Sequence, residues 1–279
     1  MDVGTGIFLG IVQGLTEFLP ISSSGHLVFF QHLFGYSEPE LFFDVVLHMG
    51  TLVAVCLYFR SDIGSMIAGS WIFVKNLSGS AREAVSREQK DHALLTLWVI
   101  VGTIPTALIG ILFEGPLERL FGSVFAVGIM LVLTGIILGL TRFLPNRFNN
   151  RTQVGVLASL AVGCAQGIAV IPGISRSGAT IVCGMLFKLE RDLAARFSFL
   201  LSIPAILGAM LIQLKDVGPA RMNYLSLLAG FFSSALVGLI ALKILMGVVR
   251  KGKLHYFAPY CWALGLIIII LQLKTIICS

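Results

Sequence analysis

The stretch QGLTEFLPISSSGH, residues 13–26, decides how this chain is read. It belongs to an apolar region, yet it carries an acid, three consecutive serines and a histidine. Residues 3–19 are largely apolar, with Gln13, Thr16 and Glu17 as polar positions near their end. Pro20 stops a helix there, because proline lacks an N–H and restricts its predecessor. A short apolar run, residues 26–34, follows the serines. Neither piece suits a span of about 20 residues. Two short helices broken at a polar turn predict a re-entrant hairpin, tolerated at membrane depth only where protein or water covers the backbone. A related stretch, AQGIAVIPGISRSGAT, occupies residues 165–180.

The surrounding composition fits a membrane protein. The chain is 57% hydrophobic and 12% charged, with a mean hydropathy of +0.94. No ordinary soluble domain has that balance. The net charge of +6 is not a nucleic-acid footprint, since the Lys and Arg fall mostly in short loops between apolar runs, where membrane orientation explains them. The five cysteines are scattered without a CxxC, which argues against a disulfide framework or a zinc site. No Lys or Arg precedes the first apolar run, so the basic n-region of a cleaved signal peptide is not expected.

Apolar runs predict membrane spans at residues 42–59, 92–113, 120–141, 193–214, 224–246 and 255–273. Residues 60–91 read as a long polar connection whose middle, 63–74, suits the membrane interface, and Pro105 should kink its span. The second broken element has apolar arms at 154–171 and 178–187 around the turn PGISRSG. The expected fold is an all-α polytopic membrane protein with six transmembrane helices and two re-entrant helical hairpins. Fourteen of the Lys and Arg fall on one side of this arrangement and four on the other, with Arg176 and Lys243 at membrane depth. The richer side should be cytoplasmic. Both termini then face outward, the first hairpin enters from outside and the second from the cytoplasm.

Sliding the chain by 153 residues superposes the two turns without a gap. Gly10, Gln13, Gly14, Ile21, Ser22, Ser24 and Gly25 fall on Gly163, Gln166, Gly167, Ile174, Ser175, Ser177 and Gly178. A weaker echo pairs Gly102, Ala107, Leu108 and Gly110 with Gly230, Ala235, Leu236 and Gly238. Three spans separate the hairpins, and an odd number inverts the second copy, so an inverted-topology repeat is expected. Its halves, about 1–141 and 154–273, form one membrane domain over 1–279.

The turns suggest an anion site. Gln13 and Glu17 share a helical face. Ser22, Ser23 and Ser24 begin the following helix, and Ser175 and Ser177 begin the corresponding second one, where serine is a favoured cap. Helix N-termini attract anions, and Arg176 adds a fork that matches phosphate oxygens. Gly25 and Gly178 permit close backbone approach. Taken alone, SSSG most often only caps a helix. An ionisable group in an apolar span is costly, however, so Glu17 and Arg176 read as functional. Asp44 and His48, one helical turn apart, read first as a structural polar bridge and second as support for the site. Lys243 reads as snorkelling to the nearby helix end.

With these motifs the chain resembles the undecaprenyl-diphosphate phosphatases of the bacitracin-resistance type. QGLTEFLPISSSGH matches that family's acidic motif and the adjoining Ser-Ser-Ser/Thr-Gly-His, and PGISRSGAT matches its PGxSRSGxT motif. The segment ARFSFLLSIPA, residues 195–205, is also similar. Gln13 stands where many members carry a second Glu, which leaves Glu17 the only acid of that motif. The resemblance implies a hydrolase in the bacterial cytoplasmic membrane that removes the terminal phosphate of undecaprenyl diphosphate. It implies divalent-cation dependence, on Mg²⁺ or Ca²⁺, and a site open to the outer side. No nucleic-acid partner is implied, and a homodimer is left open. For that reaction Ser23 is the expected nucleophile, His26 its general base and then acid, and Arg176 the phosphate ligand. Glu17 would orient His26 or ligate the metal. Gln13, Ser22, Ser24, Gly25, Gly173, Ser175, Ser177 and Gly178 would position the substrate. Rival assignments make His26 the nucleophile, or have Glu17 or His26 activate water. The alternative function is a transporter or flippase of a polyprenyl phosphate or another anion.

Overall fold

The computed structural model describes residues 1–36, 41–77, 86–113, 115, 120, 123–144, 150–213 and 223–278. Among these, helix α1 spans Val3–Phe18, α2 Ser23–Leu33, α3 Leu41–Tyr58, α4 Arg60–Leu77, α5 Arg87–Leu112 and α6 Val124–Leu140. The second half holds α7 over Val156–Ile168, α8 over Arg176–Leu186, α9 over Arg191–Gln213, α10 over Tyr224–Arg250 and α11 over Ala258–Cys278. The described residues contain no β-strand; one isolated bridge joins Arg151 to Leu189.

Both broken elements are present, and local chemistry explains the breaks. The Asp2 side chain accepts from the Thr5 N–H at 2.8 Å and starts α1. Leu19 turns extended, with φ −59° and ψ 136°, as the residue before Pro20 must. Ser22 then caps α2, and Ser175 caps α8. The arms α1 and α7 are too short to cross a membrane alone.

Five described helices are long and apolar enough to cross a membrane, and the α3–α4 pair makes a sixth when its two parts are taken together. The expected spans each fall on one of these. The connection expected at 60–91 is different: α4 is a helix of 18 residues, bent 73° from α3. It buries Met66 and lies against α5, where Gly69 meets the Gln89 carbonyl. A capping box of Ser86 and Gln89 starts α5 earlier than its apolar run suggests. Residues 78–85 of the expected polar segment lie outside the described residues.

The outer surface suits hydrocarbon. Leu228, Phe232, Leu236, Ile240 and Ile244 form an exposed apolar stripe on α10, and α5 presents Ile100, Ile104, Leu108 and Ile111. Water would not tolerate such a surface, whereas lipid favours it. The chain is thus a multi-pass membrane protein.

The halves exchange their arms. Helix α1 packs along α10 of the second half, and α7 packs along α5 of the first. A Cβ on Gly10 would meet the Gly230 carbonyl, and one on Gly163 would meet the Gly102 carbonyl. These are the same two contacts under the two sequence offsets. Small residues allow the helix backbones to touch where lipid offers no hydrophobic drive. Phe18, Phe59 and Phe199 form a core beside the first turn, with ring centroids of Phe199 5.7 Å from Phe18 and 6.1 Å from Phe59.

Candidate active site

The exchanged arms bring the two turns together. The Ser22 hydroxyl accepts the Gly25 N–H within its own turn, at 3.3 Å, and the Gly173 N–H across the interface, at 3.1 Å. In return the Ser177 hydroxyl donates to the Phe18 carbonyl at 2.9 Å. Gly173 has φ +96°, and a side chain there would strike the Val127 carbonyl. Ser22 has φ 67°, a conformation that costs about 1–3 kcal/mol for a non-glycine residue. Its crowded partners hold it there.

Thr134 of α6 completes the second turn, a role with no sequence signal beyond a hydroxyl in an apolar run. Its Oγ1 donates to the Gly173 carbonyl at 2.9 Å and accepts the Ser175 N–H at 3.0 Å. Thr134→Val keeps the shape and leaves both backbone groups unpaired. Each buried unpaired group costs about 1–3 kcal/mol, so a clear drop in thermal unfolding temperature in detergent is expected. Thr134→Ser should stay near wild type.

Glu17 is the centre of the site. Its Oε1 forms an ion pair with Arg176 Nη2 from the second half. Its Oε2 accepts from Gln13 Nε2 at 3.0 Å and from the Ser23 hydroxyl at 2.5 Å. His48 of α3 places Nε2 3.5 Å from the same oxygen. The side chain of Glu17 is 5% exposed, and that of Arg176 19%. Two charges at this depth persist because they are paired and hydrogen-bonded. Two buried polar atoms nearby have no partner among the described residues: the donor Arg176 Nη1 and the acceptor Gln13 Oε1. Among the described residues the half-buried Ser24 hydroxyl has only Ser22 as a side-chain partner, at 3.4 Å. Helices α2 and α8 add first-turn N–H groups that no helical carbonyl can reach. Such a site can take a phosphate.

The expected residues divide. Gln13, Glu17, Ser23 and Arg176 converge. Ser22, Gly25, Gly173, Ser175, Ser177 and Gly178 meet at the joined turns, where they cap and lock backbone: Ser175 accepts the Gly178 N–H at 3.1 Å. His26 makes no hydrogen bond to Ser23 among the described residues. Its Nδ1 donates to the Ser22 carbonyl at 2.7 Å, and its Nε2 accepts from the Tyr260 hydroxyl of α11 at 2.8 Å. The Ser23 hydroxyl donates to Glu17 Oε2 instead. Tyr260 carries no sequence reading as a site neighbour, and His48, which reads first as a structural bridge, takes its second reading, as support for the site. His48 did carry a signal, an ionisable group within an apolar span.

A metal on Glu17 fits poorly. Three donors already reach its two oxygens, His48 Nε2 lies 3.5 Å from one of them, and a divalent cation there would sit against the Arg176 guanidinium. Among the described residues no cluster of three His, Cys, Asp or Glu could hold a metal.

Comparison with known proteins agrees with the motifs. Residues 6–267 match the family model described as bacitracin resistance protein BacA. An undecaprenyl-diphosphatase of Halothermothrix orenii is 47% identical, over 97% of this chain and 98% of its own. One of Desulforapulum autotrophicum is also 47% identical with the same coverage, and one of Methanobrevibacter smithii is 42% identical over 96% and 97%. Both hairpin turns and every residue gathered around Glu17 lie inside the matched span, so the chain, site included, belongs to the bacitracin resistance protein BacA family.

Proposed function

We propose that this protein hydrolyses undecaprenyl diphosphate to undecaprenyl phosphate and inorganic phosphate, which regenerates the lipid carrier for peptidoglycan synthesis and underlies bacitracin resistance. The carrying observation is the Ser23 hydroxyl donating to Glu17, beside an Arg176 that keeps one buried N–H donor without a partner among the described residues. A transporter of an anionic headgroup needs the arginine. It has no use for a hydroxyl aimed at a carboxylate.

Glu17 takes the Ser23 proton as Ser23 Oγ bonds to the terminal phosphorus. The bond to the bridging oxygen breaks, and undecaprenyl phosphate leaves with the electron pair. A phosphate monoester is a good leaving group, so no separate acid is required. Arg176 Nη1 and the turn N–H groups neutralise the transferred oxygens. Water then attacks the phosphoserine, Ser23 recovers the proton from Glu17, and the proton lost by water leaves with the phosphate. Mg²⁺ or Ca²⁺, which the family resemblance implies, would supply further neutralisation of the diphosphate charge, and no step above is routed through it. The excess of cationic loops on one side supports a site open to the outer face of the bacterial cytoplasmic membrane.

Phosphate release by purified protein in detergent tests this, because no second compartment exists for transport. Wild type should release phosphate. Arg176→Lys keeps the charge and loses the fork that spans Glu17 and phosphate, so kcat/KM should fall about 10- to 100-fold. No release in detergent, with lipid movement in vesicles, would establish the transporter instead.

A further inference from the structure

Glu17 is held from three helices. Gln13 lies one turn back on α1, Arg176 arrives from α8, and His48 arrives from α3. We propose that His48 is a positioning residue, which keeps the Glu17 carboxylate on Ser23 while Arg176 turns toward the phosphate. This role rests on the reading of the chain as a serine-dependent diphosphatase.

The need for such an anchor follows from the competition for Arg176. Its Nη2 is tied to Glu17 Oε1, and its Nη1 has no partner among the described residues. A phosphate draws the guanidinium by charge-assisted hydrogen bonds, which loosens the hold on Oε1. A glutamate side chain has three rotatable bonds and several rotamers to fall into. Gln13 cannot fix it alone, because it rides on the same helix. Ser23 cannot, because it is the reacting group. His48 is the remaining contact, and it comes from outside both hairpins.

His48 is itself well fixed. Its Nδ1 donates to the Asp44 carbonyl at 2.7 Å, which orients the ring and leaves Nε2 to Glu17. Nε2 meets the carboxylate as a donor when the ring carries both protons. The Asp44 carboxylate accepts from Gln31 of α2 at 2.7 Å. Beneath His48, Ser234 of α10 donates to the Leu47 carbonyl at 3.0 Å, and Gly50 lies against the Phe231 carbonyl. With a side chain 30% exposed against 5% for Glu17, His48 forms the outer wall of the carboxylate's cage.

The test compares His48→Leu and His48→Gln in the full chain, with thermal unfolding measured for both. Leucine removes the contact, and glutamine keeps an N–H donor of similar reach. For His48→Leu, kcat should fall about 10- to 100-fold, with KM changed less than about threefold. His48→Gln should recover most of that loss. A wild-type kcat in His48→Leu would overturn the proposal. So would a glutamine variant no better than leucine at equal thermal stability. An activity-independent measurement uses ¹⁵N-histidine spectra of the substrate-free protein. The His48 Nε2 resonance should move on Glu17→Gln, and an unmoved resonance would also overturn the proposal. Failure of the wild-type protein to release phosphate would instead overturn the diphosphatase reading, and the role with it, while a moving resonance would still support the contact.

Discussion

Replacing Ser23 by alanine is expected to lower phosphate release by more than about a thousandfold, the scale seen when a nucleophile is removed. The size of the effect follows from how little else Ser23 does. The helix cap belongs to Ser22, whose hydroxyl holds the Gly25 and Gly173 N–H groups. Ser23 donates only to Glu17 Oε2 in this arrangement. Removing its hydroxyl leaves both turns locked and the Glu17–Arg176 pair intact. Thermal unfolding of Ser23→Ala should therefore stay close to wild type, within about 1 kcal/mol in stability. Acid quenching of the wild-type reaction should trap phosphate on Ser23, and the variant should trap none. If Ser23→Ala retains a tenth or more of wild-type activity, Glu17 acts on water directly and the serine only binds. Ser22→Ala makes a useful contrast, since it should damage the fold before it damages the chemistry.

Much of the fold was legible because its decisive features are local. Pro20 and the serine caps mark both breaks, and a break needs no partner to be recognised. The exchange of arms was half visible: Gly10, Gly163, Gly102 and Gly230 stood out as repeated glycines, yet sequence gives no rule for which of them touch. Helix α4 was hidden because Asp62, Lys75 and Asn76 lower its mean apolarity, although one face buries Met66. In the site, Glu17 and Arg176 were legible because charge at membrane depth requires a reason. The partners of His26 do not follow from proximity. Three residues after Ser23 on a helix, it should share a face, but its ring turns back to the Ser22 carbonyl, as polar side chains near helix starts often do. The carboxylate that receives Ser23 lies six residues earlier, across a proline turn, and no helical spacing predicts that. His48 lies on another helix still. Helical spacing tied it to Asp44, and that bond exists, but to the backbone carbonyl, which frees the ring's other nitrogen for Glu17.

Glu17→Gln should damage chemistry and fold together, and the two losses can be separated. An amide has one acceptor oxygen where the carboxylate has two. With that oxygen toward Arg176, its NH₂ opposes Gln13 Nε2, and the Ser23 hydroxyl must turn from donor to acceptor. With the oxygen toward Ser23, the NH₂ faces the guanidinium. Either way donors oppose donors, and Arg176 becomes an uncompensated charge. Breaking a buried pair in this manner costs about 3–5 kcal/mol. Loss of the base removes a further about 10²–10⁴-fold in rate. The double variant Glu17→Gln/Arg176→Met removes the stranded cation as well as the acid. Its thermal stability should recover a large part of the loss, since replacing a buried pair with apolar packing is often near neutral. Its activity should not recover at all. A double variant as unstable as Glu17→Gln alone would mean that the carboxylate holds the turns through Gln13 and Ser23 rather than through the ion pair. A double variant that regains phosphate release would remove Glu17 from the chemistry and return the search for the base to His26 or His48.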